Sequence, residues 1–362
     1  MTDRVWLKLF FLLALISIVL AGTDGQIVDD LLRPPSTLPA DLPKLPPLLV
    51  SNDGQPIRQA AAWKLRRSEL RNQWLDFLGH FPKEKSELKV EWLEKEQLDG
   101  FVRQLVRYQV EPDVWVKAYL LRPVPASDQP RAKLPAMVIF HQTTNETIRS
   151  PAGLDDRPEL HMGVQLARRG YVAICPRCFI FPRGKDFADR VREMQQLHPT
   201  WKGMARMTWD GIRAVDVLES LPYVDRDRIG GIGHSLGSKE VMFAAAFDER
   251  YKVAVASEGG VGLTFSNWHD VWYLGADIRK PDFPLENHQI IGLIAPRAFL
   301  LLAGESADND RSWAFIDAVL PVYSMLGAEP NIGWFNHREG HRFSPRAQDV
   351  AYRFVDRVLK AD

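Results

Sequence analysis

The chain has 362 residues, of which 46% are hydrophobic and 25% charged, the proportions of an ordinary globular protein with enough apolar material for a large core. Lysine plus arginine and aspartate plus glutamate each number 46, so no net field draws the chain to nucleic acid or to an anionic membrane. A nucleic-acid partner is excluded on that ground, and a small-molecule or carbohydrate ligand recognised by local contacts is expected.

The amino terminus, MTDRVWLKLFFLLALISIVLAG, carries Arg4 and Lys8, then an apolar run from Leu9 to Leu20, then Ala21 and Gly22. This is the layout of a cleaved export signal over residues 1–22, and the run is shorter than the roughly 20 apolar residues of a spanning helix. A secreted or periplasmic protein is expected, touching the membrane only through that signal. Residues 23–55 include DDLLRPPSTLPADLPKLPPLLV, too rich in proline for a helix or a central strand, and read as an extended leader. Residues 56–362 are expected to form one domain. It opens on an amphipathic helix from Ala60 to Leu78, with Trp63, Leu70, Trp74 and Leu78 on one face and Gly79 at its stop.

Three strand-like runs follow, Leu88 to Glu94, Phe101 to Val110 and Val114 to Leu121, the last two joined by the turn EPD. From PAMVIF at 135–140 onward, apolar strands alternate with helices. A helix is expected around Pro158 to Arg169, a strand at 171–175, a helix from Lys202 to Leu221, then RIGGIG and the helical EVMFAAAF. KVAVAS at 252–257, AFLLLAG at 298–304, a helix around 311–326, NIGWFN at 331–336 and a helix from Pro345 to Lys360 complete the series. The fold class is therefore α/β, a mostly parallel sheet covered by helices on both faces. Residues 258–296, between KVAVAS and AFLLLAG, read as an insertion.

Within RIGGIGHSLGSKE lies Gly233-His234-Ser235-Leu236-Gly237, where an apolar strand stops and a helix starts. A nucleophile on such a corner needs flanking glycines because side chains there would collide with the turn. The Leu236 N–H, at the helix amino terminus, is placed to stabilise an oxyanion. A serine hydroxyl also needs a base, and an acid that orients the base. HREGH offers His337 and His341 after NIGWFN. His341, in the loop before the last helix, is the expected base, and His337 a packing residue. Glu305, Asp308 and Asp310 follow AFLLLAG, and Glu258 follows KVAVAS. Asp308 is the expected acid because it lies far enough past its strand for the loop to turn back. The second oxyanion donor is expected from the backbone N–H of Thr143 or Gln142 in VIFHQTT, with His141 shaping that loop. The order Ser235, Asp308, His341, each after its own strand, is the order of one serine-hydrolase fold.

These residues make the chain resemble an α/β-hydrolase, within that superfamily the dienelactone hydrolase and acetyl xylan esterase type, over roughly residues 135–360. ESLPYVDRDRIGGIGHSLG is similar to the helix, aspartate turn and nucleophile elbow of secreted esterases and peptidases. The resemblance implies nucleophile, acid and base at Ser235, Asp308 and His341, and a carboxylesterase working without a cofactor. It also has departures. Dienelactone hydrolases usually carry cysteine where Ser235 stands, and glucuronoyl esterases tend to place an arginine soon after the serine, where this chain has Leu236 and then Lys239. A peptidase of the same fold and a catalytically silent glycan-binding protein are the alternatives.

Trp268, Trp272 and Tyr273, in the insertion, are candidates for an aromatic wall against a sugar ring, or for packing of the insertion. Trp201, Met204, Met207 and Trp209 read as core. The two cysteines, Cys175 and Cys178, suggest a structural role or a local disulfide. HREGH resembles a zinc-protease helix only superficially, since its glutamate is misplaced and Gly340 and Pro345 oppose a helix. No metal is expected.

Overall fold

The computed structural model describes residues 31–124, 132–181 and 186–360. The expected signal segment, residues 1–22, and the start of the leader lie outside them. Helix α1 (Ala60–Leu78) precedes strands β1 (Val90–Leu98), β2 (Phe101–Glu111) and β3 (Val114–Pro123), which pair antiparallel in succession. β4 (Leu134–Phe140), α2 (Met162–Arg168), β5 (Val172–Pro176), α3 (Phe187–Leu197), α4 (Gly203–Ser220) and β6 (Val224–His234) follow. Then come α5 (Leu236–Phe247), β7 (Tyr251–Ser257), α6 (Asn287–Ile294), β8 (Ala298–Ala303), α7 (Trp313–Met325), β9 (Ile332–Asn336) and α8 (Pro345–Leu359).

The nine strands form one sheet in the order β1-β2-β3-β5-β4-β6-β7-β8-β9. β3 meets β5 antiparallel, and every pair from β5 to β9 is parallel. The inner strands are buried on both faces, which is why PAMVIF and AFLLLA read as continuous apolar runs. Successive residues alternate between two cores: Ala136 and Val138 face the layer of α1 and α4 to α7, Met137 and Ile139 the layer of α2 and α8. Ser235, Glu258 and the loop after Phe140 all leave the sheet at its carboxyl edge, where ligands of open α/β sheets bind.

Two helices were not anticipated. α3 has only Val191 and Met194 buried in a largely polar stretch, and α6 is capped by Glu286, a residue type outside the favoured N-caps, which closes a capping box with Gln289. α6 packs against α1, α5 and α7, so the latter part of segment 258–296 is the crossover helix between β7 and β8. The described part of the leader docks on that helix: Leu48 is buried, and His288 Nε2 donates to the Pro46 carbonyl at 2.9 Å.

Candidate active site

β6 ends at His234 and α5 begins at Leu236, leaving Ser235 alone at the corner with φ 58° and ψ −117°. A non-glycine residue there is strained, and strain of that kind costs of order 1–3 kcal/mol. Its N–H donates to the Ser257 carbonyl at 2.8 Å, which pins the corner to the end of β7. The flanking glycines are required by close approach. A Cβ on Gly233 would lie 2.0 Å from the Gly237 carbonyl oxygen, and one on Gly237 would lie 2.1 Å from the Phe140 carbonyl oxygen. The second contact also sets the loop that leaves β4 directly beside the elbow.

His341 lies in the irregular segment between β9 and α8, and its Nε2 is 2.9 Å from Ser235 Oγ. Its Nδ1 is 3.2 Å from Glu258 Oε2. With Nδ1–H donating to the carboxylate, Nε2 is left as acceptor for the serine hydroxyl. The imidazole is 43% exposed whereas Glu258 is fully buried, an arrangement open toward substrate and closed behind the base. Glu258 is the first residue past β7, with φ 54°. Its carboxylate also accepts from the Gly304 N–H and, at 3.1 Å, from the Ala307 N–H.

Asp308, the expected acid, is not the partner of His341. It is fully buried, and its oxygens accept from the N–H groups of Gly260 and Val261, both at 2.7 Å, and from Ser312 Oγ at 2.8 Å. Burial, with the nearby Glu258 charge adding to it, pushes its pKa up to about 6 despite those donors. The loop after β8 does turn back, but it turns toward residues 260 and 261, and the histidine meets the acid one strand earlier. The two carboxylates thus tie the strand-end loops reciprocally: Glu258 is held by the loop after β8, and Asp308 holds the loop after β7. Glu305 and Asp310 both pair with Arg338, at 2.7 and 2.9 Å, and so clamp the base of the histidine loop. The sequence signal for Glu258 is an acid immediately after an inner apolar strand, followed by Gly259 and Gly260. The glycines leave room there: a Cβ on Gly259 would lie 2.5 Å from Ser238 Oγ.

Neither Leu236 N–H nor Thr143 N–H has a protein acceptor among the described residues. Leu236 opens α5, and Thr143 is exposed in the loop beside the elbow. His141 shapes that loop as expected. It is buried, its Nδ1 donates to the Gln142 carbonyl at 2.7 Å, and its Nε2 accepts from the Cys178 N–H at 3.2 Å. Burial holds its pKa down, at about 4, so the ring is neutral. His337 is buried and its Nδ1 accepts from the Glu339 N–H at 3.2 Å.

Of the two roles open to the aromatics of segment 258–296, Trp268 and Tyr273 take packing and not an aromatic wall. Trp268 and Tyr273 are 0% and 2% exposed, and both pack on the ammonium of Lys239, which lies 4.8 and 4.2 Å from their ring centres. Trp268 Nε1 also donates to the Gly260 carbonyl at 2.6 Å, so these rings fix the Glu258 loop from behind. Trp272 alone is partly exposed. The cysteines are both free and buried. They belong to opposite faces of the sheet, Cys175 with α2 and Cys178 with α4 and α5, which rules out the local disulfide. Among the described residues no group of three or more His, Cys, Asp or Glu side chains could hold a metal ion.

Residues 116–271 match the Dienelactone hydrolase family. YtaP of Bacillus subtilis (strain 168) is 27% identical over 309 residues, 81% of this chain and 100% of that protein. A 4-O-methyl-glucuronoyl methylesterase 1 of Sodiomyces alcalophilus is 26% identical over 164 residues, 36% of this chain and 32% of that one. Among solved structures, a glucuronoyl esterase from Solibacter usitatus superposes with a TM-score of 0.70 at 19% identity, covering 88% of this chain and 99% of its own. Over residues 116–271 the chain is similar to the Dienelactone hydrolase family, and its fold is that of the α/β-hydrolase esterases it superposes on.

Proposed function

We propose that this chain is an exported serine esterase that hydrolyses a carbohydrate ester, with Ser235 as nucleophile, His341 as general base and Glu258 as the acid that orients it. The observation that carries the reading is His341 held between Ser235 Oγ and the buried Glu258 carboxylate, at 2.9 and 3.2 Å. The chain is a hydrolase of ester bonds. In the acylation step, Oγ attacks the acyl carbon while Nε2 takes its proton, and Glu258 stabilises the imidazolium that forms. The N–H groups of Leu236 and Thr143 receive the oxyanion, and the α5 amino terminus adds its dipole. His341 then returns the proton to the leaving alcohol, and water activated by the same base releases the acid. The carbohydrate substrate class is supported by the names of the matched proteins, and export by the sequence of residues 1–22.

Hydrolysis of p-nitrophenyl acetate by wild type and Ser235→Ala tests the reaction. A loss of about a thousandfold or more is expected, and equal rates would refute it. Acetylated xylan, a methyl ester of glucuronate and a dipeptide p-nitroanilide, assayed side by side, test the substrate class. Turnover of either carbohydrate ester above the anilide is expected, and the reverse order would make the chain a peptidase.

A further inference from the structure

A cavity of about 410 Å³ opens at the carboxyl end of β5, bordered by the start of β3 and by α3. Its walls combine apolar groups, Trp115, Phe179, Phe181 and Met194, with the guanidiniums of Arg177 and Arg190 and one carboxylate, Glu193, at the Arg190 side. Arg206 also reaches it but is neutralised, 2.7 Å from Asp210 and 3.5 Å from Glu111. Arg177 is half-buried, and its guanidinium has no carboxylate partner among the described residues. Arg190 bonds Glu193 through Nη1 at 3.3 Å, while its Nε is buried without an acceptor. Burial and the neighbouring Arg190 charge both hold the Arg177 pKa below the usual guanidinium value. Arg177, without a counter-charge and repelled by Arg190, and Arg190, with one donor unmet beside its bond to Glu193, together present more positive charge than the apolar surface around them balances.

We propose that this cavity binds an organic anion of one kind, a carboxylate on a flat aromatic body, with the carboxylate on Arg177 and Arg190 and the ring among Trp115, Phe179 and Phe181. Guanidiniums present forked donors that match a carboxylate, and the volume is within the range of small-ligand pockets. A small inorganic anion would leave the aromatic walls unused, and a neutral ring would leave Arg177 without a counter-charge. β5 lies two strands from β6 in the sheet order, so the cavity is displaced laterally by roughly 10 Å from the serine corner on the same edge of the sheet. Between them stands His141, whose ring centre is 5.4 Å from that of Phe181. The site is therefore separate from the triad, and its occupation does not depend on the esterase reading.

Calorimetric titration of the full chain with cinnamate, cinnamyl alcohol, acetate and inorganic phosphate tests the proposal. Cinnamate is expected to bind, with cinnamyl alcohol and acetate each weaker by about tenfold or more. Arg177→Gln and Arg190→Gln are each expected to weaken cinnamate by about tenfold or more while leaving p-nitrophenyl acetate hydrolysis unchanged, and Phe179→Ala supplies an independent variant should either arginine change disturb folding. Protein blocked at Ser235 by a fluorophosphonate is expected to bind cinnamate as before. Absence of cinnamate binding, equal binding of phosphate, undiminished affinity in the arginine variants, or loss of binding in blocked protein would each overturn it. Inactivity of the enzyme would not, so the two readings fail separately.

Discussion

Glu240 lies in the second turn of α5, fully buried, with its carboxyl bonded to the Cys178 thiol. Burial is the largest influence on it and pushes its pKa up to about 8 from the ordinary 4.5, with Asp210 contributing in the same direction. The native state therefore keeps a proton that the unfolded chain releases above pH 4.5. The unfolded state binds fewer protons through that window, so stability falls as pH rises from about 4.5 to about 8, by about 1 kcal/mol per pH unit. Glu240→Gln removes the titration and keeps the shape. Its stability relative to wild type is expected to grow steadily between pH 5 and pH 8 in urea unfolding, and parallel pH profiles for the two proteins would contradict this. A buried neutral carboxyl behind the nucleophile also avoids placing a negative charge beneath the developing oxyanion.

At the scale of elements, the elbow is the part of the site most fully written in the sequence. The glycines at 233 and 237 answer to backbone oxygens at 2.0 and 2.1 Å from their notional Cβ atoms, and no rotamer change can relieve a backbone clash. Gly237→Ala is expected to shift α5 away from β4, lowering stability by about 2 kcal/mol or more and activity with it. A folded, fully active variant, seen by thermal melting and ester hydrolysis, would show that the corner tolerates what its geometry forbids. Helices were legible where caps and periodicity agreed, as in α1 and α8, whose starts at Ala60 and Pro345 match the sequence reading. α6 was missed because its N-cap is a glutamate and its apolar run sits inside a segment that resembled an insertion.

Across the whole molecule, strand order decides what sequence spacing could not. The alternation of buried strands with helices made the parallel sheet and the positions of Ser235 and His341 legible, because each follows its own strand. The acid was not legible in the same way, since Glu258 and Asp308 both leave adjacent strands at the same edge and differ only in how their loops fold. Hydrogen bonds between those loops resolve it: Glu258 takes N–H groups from residues 304 and 307, and Asp308 from residues 260 and 261. The aromatic residues of the insertion left a sugar wall and packing both open, because exposure is invisible to composition. Lys239 beneath Trp268 and Tyr273 shows that they brace the Glu258 loop.

The central claim, that Glu258 and not Asp308 supports the base, is tested by kcat for ester hydrolysis in Glu258→Gln and Asp308→Asn, with unfolding measured in parallel. Glu258→Gln is expected to lower kcat by about a thousandfold or more, because the imidazolium loses its counter-charge. Asp308→Asn is expected to hold kcat within about tenfold while losing about 1–3 kcal/mol of stability from weakened acceptors for the Gly260 and Val261 N–H groups. A near-normal kcat in Glu258→Gln together with a collapse in folded Asp308→Asn would contradict the account.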